Sequence, residues 1–163
     1  MLRLIYQLYR IYIYFVRPVT VGVRVILLKG ASVLLVRQTY MDGWYLPGGG
    51  MKKHETFDQA ARREAREEVG AEIKSLALVG AYSNFGEWKS DHNIVFSSTQ
   101  FKLSGGHDHE IAELRFFPLD ALPSGLWPPH RRRLDAYRLA RKRSQPRNAS
   151  GLDPTDVTRF GEW

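Results

Sequence analysis

The sequence predicts a mixed α/β domain with helices on both faces of its sheet. Three observations support this fold class. Several segments alternate apolar and polar residues with a period of two, as in Val19–Val25. One stretch, Thr56–Gly70, is rich in helix-forming residues, and a basic segment follows Pro128 and Pro129 near the C-terminus. Strands interleaved with a few helices are typical of α/β domains.

The strands are predicted in order along the chain. Val19–Val25 forms the first, and a turn containing Gly30 leads into the second, Val33–Arg37. A short strand at Trp44–Leu46 ends at a proline. Further strands are expected at about 73–83, 93–103 and 111–117.

The helix signals are strongest near the middle of the chain. Thr56 and Gln59 have the spacing of a capping box, and Gly70 supplies a stop. A second helix, basic in character, is predicted at roughly His130–Arg143. The tail 144–163 is polar and is expected to be loosely ordered.

Residues 1–18 are apolar but are interrupted by Arg3, Arg10 and Arg17. No run reaches the roughly 18 uncharged residues that a spanning helix needs. The pattern predicts an amphipathic helix with a wide apolar face. It either packs on its own domain or on a second copy in a homodimer, or it lies on a membrane surface with its arginines at the headgroups.

Composition restricts the chemistry. The 163 residues fit one domain, and the absence of cysteine excludes disulfides, thiolate-bound zinc and cysteine nucleophiles. It is compatible with a reducing, cytoplasmic location, peripheral to a membrane if the first helix binds lipid. The net charge is +7, with basic segments on both sides of an acidic middle. Such segments attract phosphates, an RNA 5′ end or anionic lipid, or are simply solvated.

Three carboxylates give the first indication of function. Glu64, Glu67 and Glu68 are spaced to share one helix face, where like charges repel. A bound divalent cation removes this repulsion, because hard cations take oxygen ligands. The alternative is a solvated acidic face that is offset by neighbouring arginines, namely Arg62, Arg63 and Arg66.

A glycine-rich loop precedes the same helix. Gly48, Gly49 and Gly50 allow the backbone to approach a ligand closely, and helix N-termini favour anions. The glycines match neither a P-loop nor a dinucleotide-binding fingerprint. We therefore expect phosphate oxygens to bridge the loop, the helix and a metal ion.

At this point the residues resemble a known family. Gly49, five residues, Glu55, seven residues and then Arg63-Glu64-Ala65-Arg66-Glu67-Glu68-Val69-Gly70-Ala71 resemble the Nudix box in full. Ala65 and Ala71 stand where the family has bulkier aliphatic residues, which affects packing more than chemistry. The resemblance implies a Nudix-type α/β/α sandwich over about residues 19–143, between the N-terminal helix and the tail.

The resemblance also implies an activity and a set of roles. The activity is hydrolysis of a pyrophosphate bond in a nucleotide-type substrate, with Mg²⁺ or Mn²⁺ as cofactor. The metal would be held by Glu64, Glu67, Glu68 and the Gly48 carbonyl. Arg63 would orient the glutamates, and Glu55 would support the site without binding the metal directly. The general base would be a box glutamate such as Glu64 or a downstream carboxylate, Glu110 or Glu113.

The substrate is less constrained by the sequence. Gly49, Gly50 and Trp88 are expected to contact it. Tyr82 and Phe85, in a loop predicted at Tyr82–Trp88, are further aromatic candidates for stacking on a base. Signatures of the ADP-ribose, coenzyme A and NADH subclasses are absent around the box. Two alternatives stay open: a Nudix-fold sensor that binds a nucleotide without turnover, and an adaptor that binds membrane or RNA through the basic ends.

Overall fold

The computed structural model describes residues 19–86, 89–106 and 109–144, together with six residues nearer the N-terminus. Those six are helical and exposed, and they include Ile5, Leu8 and Phe15. The rest of the predicted N-terminal helix lies outside the described residues, so that helix stays a prediction. Of the helices that the structure describes, none is long and apolar enough to span a membrane.

The sheet has five strands in the order β3-β4-β1-β2-β5. β1 runs parallel to β4, and the other neighbouring pairs are antiparallel. The sheet is therefore mixed, as the sequence predicts. The strands are β1 (Val19–Lys29), β2 (Ser32–Gln38), β3 (Ala71–Gly86), β4 (Lys89–Leu103) and β5 (Ile111–Pro118).

Two helices cover opposite faces of this sheet. On one face, α1 (Phe57–Val69) buries its alanines against the odd-numbered residues of β1, such as Val23 and Val25. On the other face, α2 (Pro128–Ser144) buries Leu134 against a second cluster that includes Ile26. The α/β/α sandwich is thus confirmed, and each face of β1 contacts a different helix.

The ends of α1 follow the predicted signals. The Thr56 hydroxyl accepts a hydrogen bond from the Gln59 amide, and the Gln59 side chain accepts one from the Thr56 amide. Gly70 ends the helix in the left-handed conformation. These caps fix where the acidic face of α1 begins and ends relative to the glycine loop.

The glycine loop lies along β1 where β2 has diverged. β2 is registered with β1 only at the turn end, at Leu28 and Lys29. Closer to the N-terminus of β1, the Val25 amide donates to the Pro47 carbonyl and the Val23 amide donates to the Gly49 carbonyl, both at 2.9 Å. The loop is therefore held by main-chain hydrogen bonds at the middle of the sheet.

Two local predictions are corrected. The strand expected at Trp44–Leu46 is reduced to isolated bridges, from Tyr45 to Val36 and from Trp44 to Leu126, because the chain turns into the glycine loop. The aromatic residues Tyr82 and Phe85 were expected in a loop. They lie instead on β3, which pairs with β4 as far as Gly86.

Candidate active site

Gly48 places the loop against the acidic helix. Its amide donates a 2.7 Å hydrogen bond to the Glu68 carboxylate. Its φ is +135°, and a Cβ at this position would collide with the Val23 carbonyl. Only glycine meets both requirements without strain, so the backbone of β1 sets how close the loop comes to α1.

Gly49 is held close to a different carboxylate. A Cβ added there would lie 2.6 Å from Glu64 Oε1. The absence of a side chain therefore lets the Glu64 carboxylate lie against the loop backbone. Gly50 is exposed and has open space around it, and its carbonyl accepts a hydrogen bond from Arg63.

Arg63 connects the loop with three glutamates. Its guanidinium donates to both carboxylate oxygens of Glu55, at 2.7 and 2.9 Å. It also donates to Glu64 at 2.6 Å and to Glu67 at 3.1 Å. The forked pair holds the pKa of Glu55 down at about 2, since the Arg63 hydrogen bonds favour its charged form and the Lys52 amide adds a further one.

Glu68 has the opposite environment. It is partly buried, and all causes together raise the pKa of its carboxyl to about 7, with desolvation as the largest. Glu64 and Glu110 raise it further, while the Gly48 amide and the Arg24 charge act against them. The negative charge at this point of the site is therefore poorly compensated by the protein.

The two downstream carboxylates have different surroundings. Glu113 forms an ion pair with Arg37 at 2.7 Å and another with Arg115. Glu110 is exposed at the start of β5 and is close enough to Glu68 to affect its pKa. Main-chain pairing anchors this residue, since its carbonyl accepts from the Thr39 amide at 2.8 Å.

No three carboxylate or imidazole side chains of the described residues are arranged to hold a metal ion. In this arrangement the Glu64 and Glu67 carboxylates both accept hydrogen bonds from the Arg63 guanidinium. The donor set nevertheless suits a hard cation, because it offers only oxygen atoms and includes the poorly compensated Glu68 carboxylate. Trp88, the remaining residue expected at the site, lies outside the described residues.

A polar cluster on the α2 face was not predicted. Arg24 of β1 lies 3.4 Å from the buried His130, whose Nδ1 accepts from the Leu46 amide at 3.0 Å. Burial and the charges of Arg24 and Arg133 hold the pKa of His130 well below its usual range, so the ring is neutral. The sequence carries one signal of this cluster, an arginine inside the otherwise apolar run of β1.

The parallel pairing of β1 with β4 brings in further polar residues. The Asp91 carboxylate accepts from Thr20 at 2.7 Å and from Asn93 at 2.6 Å. Asn93 is buried opposite Gly22, and its Oδ1 has no hydrogen-bond partner. Spacing along the chain cannot reveal this contact, because it depends on the register between two distant strands.

The fold and this site together define the class of protein: an α/β/α sandwich in which a glycine loop lies against an acidic helix. Comparison with known proteins then gives the family. The family model of the NUDIX domain matches residues 16–137, which is most of the chain. The protein belongs to the Nudix family.

Solved structures support the fold. The chain is similar to the MutT NUDIX hydrolase from Burkholderia pseudomallei, with a TM-score of 0.67 at 22% identity over 72% of this chain and 96% of that one. It is also similar to a NUDIX hydrolase from Nitrosomonas europaea, with a TM-score of 0.65 at 21% identity over 74% and 89% of the two chains.

Curated relatives have diverse names. The NAD-capped RNA hydrolase NudC from Pseudomonas aeruginosa is 32% identical over 61% of this chain, which spans only 36% of that protein. The ADP-ribose pyrophosphatase of Methanocaldococcus jannaschii is 34% identical over 71% of this chain and 69% of its own. A putative 8-oxo-dGTP diphosphatase of Bacillus subtilis is 28% identical over 70% and 76%.

Proposed function

We propose that the protein is a pyrophosphohydrolase that uses Mg²⁺ or Mn²⁺. Its substrate is a nucleoside polyphosphate or a compound linked through a nucleoside diphosphate. The observation that carries the proposal is the joint placement of the Gly48–Gly50 loop, the carboxylates of α1 and Glu110. The relatives described above are named as a hydrolase, a pyrophosphatase and a diphosphatase, and these names cover several substrates and select none.

The metal would be held by Glu64, Glu67, Glu68 and the Gly48 carbonyl. When bound, the cation would neutralise the pyrophosphate and lower the pKa of a bound water. The poorly compensated charge of Glu68 supports this assignment, because a cation relieves the cost of burying a carboxylate. The hydrogen bond from the Gly48 amide fixes one Glu68 oxygen and leaves the other free to act as a ligand.

Arg63 has a positioning role in this account. Its bidentate pair with Glu55 anchors the guanidinium, so that its remaining N–H groups reach Glu64 and Glu67. Releasing these carboxylates to a metal requires only side-chain rotation, because both lie on the same helix as Arg63. The amides of Gly49 and Gly50 would face the phosphate oxygens.

Glu110 is the proposed general base, with Glu64 as the alternative within the box. Glu110 is exposed, and its charge is close enough to Glu68 to raise the pKa of that carboxyl. Glu113 is less suitable because Arg37 and Arg115 both pair with it, which holds its carboxylate away from a proton-accepting role. Glu110 would remove a proton from the attacking water as the pyrophosphate bond breaks.

A nucleotide sensor without turnover is the second candidate. The observation that favours it is the pairing of Arg63 with two of the three α1 glutamates, which leaves no carboxylate trio arranged for a metal in the described residues. In a sensor this arrangement would persist with ligand bound. In an enzyme Mg²⁺ would displace Arg63 from at least one carboxylate.

An activity panel separates the two candidates. Mg²⁺-dependent phosphate release, coupled to a phosphatase, is measured over nucleoside triphosphates, nucleotide sugars, dinucleoside polyphosphates, ADP-ribose, NADH and 5′-triphosphate RNA. We expect turnover of one class, which names the substrate. Binding of Mg²⁺ and nucleotide without any turnover would establish the sensor.

The partners and the location are also part of the proposal. The apolar residues described near the N-terminus are exposed, as expected for a helix that contacts a second copy or a lipid surface. We propose a cytoplasmic protein, peripheral to a membrane if the helix binds lipid. Pelleting with anionic vesicles would indicate a lipid surface, and a dimer in light scattering would indicate a second copy. Salt-sensitive binding of RNA would instead indicate an RNA partner, bound at the 5′ end of the RNA.

A further inference from the structure

A cavity of about 100 Å³ lies beside the start of α2, on the sheet face opposite α1. This volume is several times the roughly 10–15 Å³ that one water needs, so a group of several heavy atoms fits. Part of the wall comes from β3 and part from α2. The lining residues are Tyr82, Ser83, Asn84, Pro129, Arg132 and Arg133.

Arg133 is the unusual member of this wall. Its side chain is only 5% exposed, and its guanidinium lies 5.4 Å above the Tyr82 ring. Within the described residues, no carboxylate lies at ion-pair distance from it. A buried charge without a partner is costly, and it persists only where something else compensates it.

Two further arginines add positive charge near Arg133. Burial lowers the pKa of Arg133, and Arg24 and Arg132 lower it further. Asp91 acts in the opposite direction, but it is one carboxylate beside three arginines, Arg24, Arg132 and Arg133. Cations therefore exceed available anions at this cavity.

Arg24 acts on groups at both the cavity and the candidate active site. Arg24 affects the pKa of Glu68 on one side and that of Arg133 on the other. It lies on the strand that carries the glycine loop, between the two places. Arg24 is therefore close enough to act electrostatically on both the Glu68 carboxylate and the Arg133 guanidinium.

We propose that Arg133, with Arg132 at the exposed rim, binds a phosphate group of the substrate other than the pyrophosphate that is cut. The inference rests on the proposed function for its substrate, but the binding of phosphate does not require turnover. An oxyanion matches the planar fork of a guanidinium. A stacked base fits less well, because Arg133 already covers the Tyr82 face that it approaches.

The test is titration of metal-free protein with inorganic phosphate by calorimetry. Arg133→Gln should weaken the binding at least about tenfold, because the charged donor is lost. Arg133→Lys, which keeps the charge but not the fork, should bind with intermediate affinity and covers the case in which the glutamine variant does not fold. Arg141→Gln, about 12 Å further along the same helix, is the matched control and should leave the Kd unchanged.

The outcomes separate this inference from the proposed function. Equal phosphate affinity in the wild type, Arg133→Gln and Arg133→Lys, or no phosphate binding at all, overturns the inference. If Glu68→Gln abolishes turnover but keeps the phosphate site, the two sites act separately, as proposed. If the panel shows no turnover, the phosphate titration still decides the role of Arg133.

Two matched substrate pairs identify the source of the phosphate. NADPH and NADH differ by one phosphate monoester, and a short 5′-triphosphate RNA differs from its nucleoside triphosphate by phosphodiesters. An Arg133-dependent advantage in KM for NADPH assigns a phosphorylated small molecule. The same advantage for the RNA assigns the phosphodiester backbone.

Discussion

At the scale of single residues, Arg63 decides how the acidic helix is arranged. The residue binds both carboxylate oxygens of Glu55, which is not on α1, and makes single hydrogen bonds to Glu64 and Glu67. Its pKa is raised, with the Glu55 hydrogen bonds as the largest cause. The pair anchors the guanidinium from which the hydrogen bonds to the α1 carboxylates are made.

The Glu55 pair has a testable pH dependence. The pKa of Glu55 falls from 4.5 to about 2 on folding, so the folded state binds its proton more weakly than the unfolded state. The pair therefore stabilises the fold fully above about pH 5, and this contribution is lost as the pH falls toward 2. We expect Glu55→Gln to lower the urea midpoint at pH 7, and we expect its difference from the wild type to shrink progressively as the pH falls from 4.5 toward about 2.

The control for this experiment is Glu72→Gln, which removes an exposed carboxylate from the start of β3. Its difference from the wild type should be small at every pH. If the Glu55→Gln difference stays constant from pH 7 to pH 3, the carboxylate–guanidinium pair does not stabilise the folded state in the way described.

At the scale of elements, two neighbouring residues of the glycine loop are restricted by different parts of the structure. Gly48 is restricted by the backbone of β1, whereas Gly49 is restricted by a side chain of α1. Backbone atoms cannot move without disturbing the sheet, but a carboxylate can rotate away. The two positions should therefore respond differently to the same substitution.

Gly48→Ala should destabilise the protein by about 2 kcal/mol or more, because it combines a left-handed φ with a backbone collision. Gly49→Ala should change stability by less than about 1 kcal/mol but displace Glu64. Activity should then fall by about tenfold to a hundredfold, as expected for a misplaced catalytic group. Thermal unfolding and kcat/KM of both variants check this, and a stable, fully active Gly48→Ala would contradict the loop geometry.

The elements also show what the sequence could predict. Thr56, Gln59 and Gly70 act within one helix, so their spacing alone predicted its ends. The site of the box was predictable for the same reason, since the loop and α1 are neighbours in the chain. Arg24, Asn93 and Arg133 come from three distant segments, and only the parallel register of β1 and β4 and the docking of α2 bring them together.

At the scale of the whole molecule, the sheet separates two kinds of chemistry. The α1 face carries the carboxylates, and the α2 face carries the buried Arg133 and the half-buried Arg24, with a cavity beside Arg133. Arg24, on the central strand, affects the pKa of Glu68 in the first group and of Arg133 in the second. This arrangement fits a substrate with negative charge at two points, one at the metal site and one beyond it.

The central claim is that the α1 carboxylates support metal-dependent hydrolysis, and Glu68→Gln tests it most directly. Mg²⁺-dependent turnover of the substrate found by the panel is compared in the wild type, Glu68→Gln and Glu72→Gln, with Mg²⁺ affinity measured in parallel. We predict that Glu68→Gln lowers kcat at least about 100-fold and weakens Mg²⁺ binding, while Glu72→Gln stays within about twofold of the wild type. Turnover by Glu68→Gln close to that of the wild type would contradict the account.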